Sequence, residues 1–301
     1  MGWGGVFWLF SVYLKLLVTV SFWGASFIAT KVAVRALHPV EVVWARTLLG
    51  LLVMWSMLRL RGVELRWRGV PLPALVLLGF LSVFVQQVVQ AYAMKFSMAS
   101  TATWIIGMSS VFIALLGYVF LGERLRAIQA MGVGLSFLGV ALVMAKGEPS
   151  ALLGFGFSKG DLVMLLTSLN WAVFSVLSRR FLSSRGLDGL LAIFHVMVFG
   201  FLFESLALPF FGRSDLPSRL LEPQAALSVL FLGVCCTGLA YAFWYDGLGA
   251  MSAYRVGVFM YLQPLVGTIL SYRLLGERMS PWSLLGGAMI LLGVYAVNRR
   301  P

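Results

Sequence analysis

The sequence predicts an all-α integral membrane protein in which ten transmembrane helices form two inverted five-helix repeats. Hydrophobic residues make up 60% of the 301 residues, charged residues make up only 11%, and the mean hydropathy is +0.94. Long apolar stretches recur along the whole chain, and the tetrapeptide Leu-Gly-Glu-Arg occurs twice, 154 residues apart. Because an ordinary soluble domain is about one quarter charged, this chain lacks the polar surface that a water-soluble particle needs.

Ten segments are long and apolar enough to cross a bilayer, which takes about 17–25 residues of helix. Seven of them are uncharged runs, at 71–94, 96–122, 127–145, 162–178, 223–245, 256–272 and 279–298. Three more contain charge: 13–34 with Lys15 and Lys31 near its ends, 39–58 with Arg46, and 187–211 with His195 and Glu204. Lysines at span ends can reach the headgroups, so these charges do not exclude a membrane helix.

The remaining features of the composition indicate little beyond a membrane protein. The N-terminal stretch MGWGGVFWLFSVYLK lacks the basic start and cleavage site of a signal peptide, so we expect it to lie at the interface or to extend the first span. The two cysteines, Cys235 and Cys236, are neighbours within one span and are predicted to be packing residues without a disulfide. The net charge is +12, and the basic residues that produce it lie at span ends. This position predicts that they anchor helices at the headgroups, and no nucleic-acid partner is expected.

The two halves of the chain match each other beyond the tetrapeptide. A shift of 154 residues aligns Tyr118 with Tyr272 and Gly132 with Gly286, and a shift of 148 aligns Trp23 with Trp171. We therefore predict two copies of one unit, at 10–146 and 160–299. Because five helices per copy is an odd number, the second copy starts on the opposite side of the membrane, an arrangement typical of secondary transporters with a central substrate site.

The tetrapeptide itself is interpreted as a hairpin turn that marks the repeat. Glycine commonly ends a helix, and the following Glu123 or Glu277 is expected near the start of the next helix, where the helix dipole favours an anion. The Glu-Arg pair is expected to be solvated among the headgroups. The glycines at 132, 139, 286 and 293 are expected to let helices approach closely.

These segments together resemble the drug/metabolite transporter superfamily, specifically its ten-helix EamA-type exporters. The resemblance covers about 10–300 and is carried by FWGASFIATK at 22–31, VWARTLLG at 43–50, FLGERL at 120–125, NWAVFSVLSRR at 170–180 and YLQPLVGTILSYRLLGERMSPWSLLGG at 261–287. The second copy departs from the first, since Trp171 is followed by alanine and its span 7 has no counterpart of Arg46. The resemblance implies an inner-membrane carrier that exports amino acids or other small metabolites.

The distribution of basic residues favours both termini in the cytoplasm. Basic residues are enriched in cytoplasmic loops, and the loop 59–68, which would then be cytoplasmic, carries four arginines.

Candidate substrate-binding residues are polar or aromatic side chains within the spans. Ser82, Gln86 and Gln90 recur every fourth residue and form one polar stripe, which is expected to face a cavity or to bond a neighbouring helix. Pro264 interrupts span 9, and such breaks often mark a carrier's site, although a bend for packing alone stays open. The other candidates are Trp23, Ser26, Trp104, Asn170, Trp171, Tyr241, Tyr261 and Gln263.

Ionisable residues within spans are rare and default to functional hypotheses. Glu204 is the candidate for proton coupling, with a position near the outer headgroups as the alternative. His195 lies nine residues from Glu204 and points to another face of the helix, so the two are not expected to form one relay. Arg46 is five residues from Glu41, and a structural ion pair is preferred over a contact with a substrate carboxylate.

The sequence therefore predicts a secondary transporter that exports amino acids or related neutral, zwitterionic or aromatic solutes. The alternative is a multidrug or lipophilic-cation efflux carrier. An enzyme is disfavoured because no catalytic or metal-ligand motif is present, and no cofactor or metal is expected. The expected partners are a small-molecule substrate and the lipid bilayer. The sequence leaves the oligomeric state open, with a monomer as the working expectation.

Overall fold

The computed structural model describes residues 3–65, 71–121, 126–146, 157–182, 188–212, 215–251 and 253–298, and these residues form an all-helical membrane protein. Ten helices within these ranges are long and apolar enough to span a membrane, which confirms the predicted all-α membrane class and the number of spans. They are α1 Phe10–Ala36, α2 Pro39–Leu60, α3 Leu72–Ala93, α4 Ala99–Phe120, α5 Ala127–Ala145, α6 Lys159–Ser178, α7 Gly189–Phe211, α8 Pro223–Ala250, α9 Arg255–Leu275 and α10 Pro281–Asn298. The helix of α1 begins already at Trp3, so the apolar N-terminal stretch extends the first span.

Four of these helices contain an irregular segment. Residues Phe80–Val85 of α3 and Phe231–Leu239 of α8 are π-helical. The α4 helix is broken between Ile106 and Ser109. In α9 a 3₁₀ turn at Phe259–Tyr261 precedes the segment that contains Pro264, so the predicted interruption of span 9 is confirmed. Such breaks free backbone groups and redirect side chains, and they are common at functional sites.

Most of the extensive helix packing joins one half of the chain to the other. The largest contact is between α5 and α10, and the others include α1 with α8 and α9, α2 with α7 and α8, α3 with α6 and α7, and α4 with α6 and α9. The four repeated glycines lie in the α5–α10 contact, as the sequence predicted. A Cβ atom on Gly286 would be 2.5 Å from the carbonyl oxygen of Gly139, and one on Gly293 would be 2.5 Å from that of Gly132. In lipid, where tails solvate apolar side chains well, such close backbone approach is a main source of helix association.

Candidate functional site

A cavity of about 140 Å³ lies between the two halves, with walls from every spanning helix except α5 and α7. Eight of the predicted binding residues line it: Trp23, Ser26, Gln86, Gln90, Trp171, Tyr241, Tyr261 and Gln263. Ser82 and Pro264 line it as well. The breaks in α4 and α9 and the π-helical segment of α3 contribute to its wall, so three of the four irregular segments lie at the cavity.

The polar stripe of α3 is held in place by the second half of the chain. The Asn170 side chain of α6 donates through Nδ2 to the Leu81 carbonyl oxygen and to Gln86 Oε1, both at 2.9 Å. Gln86 Nε2 in turn approaches Gln90 Oε1 at 3.4 Å. Because amide donors left unpaired in an apolar interior are costly, these bonds fix the orientation of the Gln86 amide. Asn170 itself does not line the cavity.

The aromatic part of the wall comes mainly from α1 and α8. The ring centroids of Trp23 and Tyr241 are 5.5 Å apart in an edge-to-face arrangement. Trp23 Nε1 donates to the Cys236 carbonyl oxygen at 3.0 Å, which fixes its ring against the π-helical segment of α8. Trp171 lines the cavity from α6 and contacts Phe174, with centroids 5.2 Å apart. The equivalent tryptophans of the two halves thus both face one cavity.

Arg46 also lines this cavity, and its partner is not the one preferred from the sequence. Its Nε and Nη2 donate to Thr237 Oγ1 at 3.2 and 3.1 Å. Glu41 instead pairs with Arg219, with 2.8 Å between Oε1 and Nη2, and accepts from the His38 backbone at 2.6 Å. Glu41 lies in the first turn of α2 and is fully buried against Arg219. The expected ion pair between Arg46 and Glu41 therefore does not form.

Trp104 lies elsewhere than the sequence analysis expected. Its side chain is 3% exposed and packs against α10, where a Cβ atom on Gly287 would be 2.8 Å from its ring. It therefore fills a helix–helix contact and is not part of the cavity wall. The glycine that receives the ring lies in the distant α10 segment, so no local pattern could have indicated this position.

Glu204 of α7 is fully buried against α2 and does not line the cavity. Its Oε1 accepts from the Thr47 hydroxyl at 3.3 Å. Its carboxyl group is therefore enclosed by the protein and is not exposed at the surface of the described residues. His195 is buried on the same helix, and within the described residues no cluster of His, Cys, Asp and Glu could hold a metal ion.

Several lining residues were missed by the sequence analysis. Gln87, Ser109 and Ser110 line the cavity, and so does Thr30 near the end of α1. Ser109 and Ser110 follow the break in α4, and Gly107, which lies within the break, was the available signal. The two serines could have been found by treating that glycine as a helix break.

Ion pairs between the halves lie near the two ends of α1. Near its start, Lys15 contacts Asp246 of α8 at 2.7 Å, and Arg61 contacts the same carboxylate at 2.8 Å. Near its other end, Lys31 contacts Glu277 at 3.2 Å and also donates to the Ser97 carbonyl oxygen. The two lysines expected to reach for headgroups are therefore held by acids of the second half.

The second copy of the repeated tetrapeptide forms the expected turn but also an unexpected contact. Gly276 ends α9 with φ of 66°, as predicted. Glu277, expected to be solvated, has a side chain only 9% exposed and binds the start of α4, accepting from the backbone nitrogens of Ala99 at 3.0 Å and Ser100 at 2.9 Å. Burial opposes its charge, but these donors and Lys31 outweigh it and lower the pKa of Glu277. The glycine, glutamate and arginine of the first copy lie outside the described residues.

Comparison with known proteins identifies the family. The model of the EamA-like transporter family matches residues 10–145 and again residues 158–299. The chain belongs to the EamA-like transporter family. It is therefore a multi-pass membrane transporter and not an enzyme, as the sequence predicted.

The relatives of this EamA-like chain are similar over nearly their whole length. An uncharacterized transporter from Archaeoglobus fulgidus is 30% identical over 300 residues, covering 96% of this chain and 97% of the relative. A probable amino-acid metabolite efflux pump from Escherichia coli is 26% identical, covering 94% and 92%. A probable terminal-alkyne amino-acid exporter from Streptantibioticus cattleyicolor is 25% identical, covering 95% and 92%. A crystal structure 24% identical, covering 95% of each chain with a TM-score of 0.67, shares the fold.

Proposed function

We propose that this transporter exports amino acids or related neutral, zwitterionic or aromatic solutes through the central cavity. The observation that carries the proposal is the cavity lining, which combines the amides of Gln86, Gln90 and Gln263 with the rings of Trp23 and Tyr241. Amides and hydroxyls can bond a solute that carries both a donor and an acceptor, while aromatic faces take an apolar side chain. The names of the relatives from E. coli and S. cattleyicolor support the same class of solute.

The mechanism we propose is alternating access by two inverted units, 10–146 and 160–299. The match of one family model to two successive segments supports it. So does the packing pattern: α1 contacts α9 and α8, and their counterparts after exchange of the halves, α6 with α4 and α3, are also in contact. The ion pairs of Lys15 with Asp246 and of Lys31 with Glu277 join the halves at opposite ends of α1. Opening each end in turn would break one pair and keep the other.

Efflux of lipophilic cations is the second candidate, and the lining does not favour it. Among the described residues that line the cavity, no Asp or Glu is present to balance a cationic solute. Glu204, the acid that could have done so, faces Thr47 outside the wall. A cation inside a membrane protein needs a counter-charge, so a zwitterion fits this lining better.

Proton coupling through Glu204 remains part of the proposal. Its burial and its hydrogen bond to Thr47, on the helix that carries Arg46, place a titratable acid next to a cavity-lining helix. A Glu204→Gln variant is expected to lose the dependence of export on a pH gradient while still equilibrating substrate down its own gradient. Export that keeps its full dependence on the gradient in this variant would exclude Glu204 as the coupling group.

The deciding experiment is efflux from proteoliposomes loaded with labelled amino acids, with and without a pH gradient. We expect selective loss of one class of amino acid, slowed at least tenfold by Trp171→Ala. A Leu52→Ala variant is the matched control, since Leu52 is 53% exposed on α2, away from the cavity. Efflux of no amino acid, with efflux of a lipophilic cation instead, would reject the proposal in favour of the second candidate.

We also propose an inner-membrane location with both termini in the cytoplasm. The four arginines between 59 and 68 support this orientation. A fusion that fluoresces only in the cytoplasm, attached to the C-terminus, is expected to be bright. A dark fusion with normal protein levels would reverse the orientation.

A further inference from the structure

Resting on the proposed function, we infer that the guanidinium of Arg46 is the binding site for the carboxylate of the transported solute. This assigns the solute a required chemical group: a free carboxylate, next to a side chain that fits an aromatic wall. Amides, esters and decarboxylated amines of the same solutes would then be poor substrates.

The geometry of Arg46 leaves one edge of its guanidinium available. Its Nε and Nη2 both donate to Thr237 Oγ1, at 3.2 and 3.1 Å, so Thr237 occupies one edge of the fork. Among the described residues, no acceptor bonds Nη1, and no carboxylate forms an ion pair with Arg46. The edge formed by Nη1 and Nη2 presents two parallel N–H donors, which match the two oxygens of a carboxylate.

Hydrogen bonds and close backbone contacts hold the side chain that supports Arg46. The Thr237 hydroxyl donates to the carbonyl oxygen of Leu232, five residues earlier, a bond made possible by the π-helical segment of α8. The backbones of α2 and α8 are also in close contact here: a Cβ atom on Gly50 would be 2.3 Å from the Thr237 side chain, and one on Gly233 would be 2.9 Å from the Arg46 carbonyl oxygen. A guanidinium held in this way needs little ordering when a ligand binds.

The charge balance of the cavity also calls for an anion. Arg46 is the one charged side chain among the described lining residues. Glu204 acts on it electrostatically but is bonded to Thr47 outside the wall. A cation with no direct counter-ion inside a membrane protein is costly, and in such sites it usually marks a ligand pathway. A bound carboxylate would supply the missing partner.

The neighbours of Arg46 fit the rest of such a solute. Tyr241 lines the same cavity as Arg46, and its ring contacts Trp23. A carboxylate on the guanidinium therefore places the solute's side chain beside two aromatic rings. The second half supplies the Gln263 amide on the α9 wall.

The test is counterflow into proteoliposomes with labelled phenylalanine, leucine and threonine, in competition with derivatives of each. For phenylalanine the competitors are N-acetylphenylalanine, which keeps the carboxylate, and phenylalaninamide and phenethylamine, which lack it. The unmodified protein is expected to prefer the acids by about 10- to 100-fold, the factor that hydrogen bonds to a charged group supply.

The variants separate Arg46 from the rest of the cavity. Arg46→Gln is expected to lose the preference for acids while its affinity for the amides stays unchanged. Arg46→Lys keeps the charge without the planar fork and is expected to retain part of the preference. Arg59→Gln, which removes an exposed arginine at the end of the same helix, is the control and should behave like the unmodified protein.

Two outcomes overturn the inference. If the unmodified protein transports amino acids but accepts acids and amides equally, Arg46 is not a carboxylate site, and the proposed function stands without it. The same holds if Arg46→Gln keeps the preference for acids. Transport of none of the amino acids would instead reject the proposed function itself. Because the comparison of ligands needs only the unmodified protein, a variant that fails to fold does not remove the test.

Discussion

Replacing Glu277 with glutamine tests whether the second copy of the tetrapeptide stabilises the contact between the two halves. In the structure one carboxylate accepts two backbone N–H groups and the Ser100 hydroxyl at the start of α4, and it pairs with Lys31. Glutamine has one acceptor oxygen and no charge, so it loses at least one of the backbone bonds and the ion pair. Loss of a charge-assisted hydrogen bond at a nearly buried site costs about 1.5–3 kcal/mol.

The assay is thermal unfolding of the detergent-solubilised protein. A cost of this size in a chain of 301 residues is expected to lower the Tm by about 2–5 °C. The matched control is Glu222→Gln, because Glu222 also stands at the start of a helix but its exposed side chain makes no capping hydrogen bond. The control is expected to unfold within about 1 °C of the unmodified protein, since exposed substitutions of this kind cost little.

The pH dependence of this difference provides a second check. The pKa of Glu277 is lowered from its usual value of 4.5, so the folded state holds its proton less tightly than the unfolded state. Its stabilising contribution is therefore fully present above pH 4.5 and is lost as the pH falls through the lower, folded-state value. The gap in Tm between the unmodified protein and Glu277→Gln should be widest at pH 7 and shrink below pH 4.5. An equal Tm at pH 7, or a gap that does not change with pH, would refute the reasoning.

Two further predictions concern helix packing and the amide stripe. Gly286→Val is expected to abolish folded protein, because a Cβ atom there would lie 2.5 Å from the Gly139 carbonyl oxygen. The control Gly134→Ala should leave the yield of folded protein unchanged, because a Cβ atom at Gly134 has no heavy atom within 4 Å. Size-exclusion chromatography of both variants checks this, and a well-folded Gly286→Val would contradict it. Gln86→Leu should slow amino-acid counterflow about tenfold or more, because it removes the amide that bonds Asn170 of the other half. Gln86→Glu keeps an acceptor for Asn170 and should retain more activity. Equal rates for both variants and the unmodified protein would show that the stripe serves packing alone.

The sequence by itself determined the class of protein, the number of spans and most of the cavity. Length and hydropathy suffice for the spans, since a membrane helix satisfies its own backbone hydrogen bonds whatever lies beside it. The stripe of Gln86 and Gln90 and the break at Pro264 were visible because each depends on local periodicity or on one residue's covalent geometry.

Only the tertiary structure decided which side chains bind one another across the halves. Glu277 caps a helix that begins 178 residues away, and Arg46 bonds a threonine 191 residues away in preference to the glutamate one turn before it. Trp104 does not line the cavity, because Gly287 on α10 leaves room for its ring in a helix–helix contact. A hydrogen bond or a packed ring depends on where a distant helix lies, and neither periodicity nor propensity along one helix contains that information.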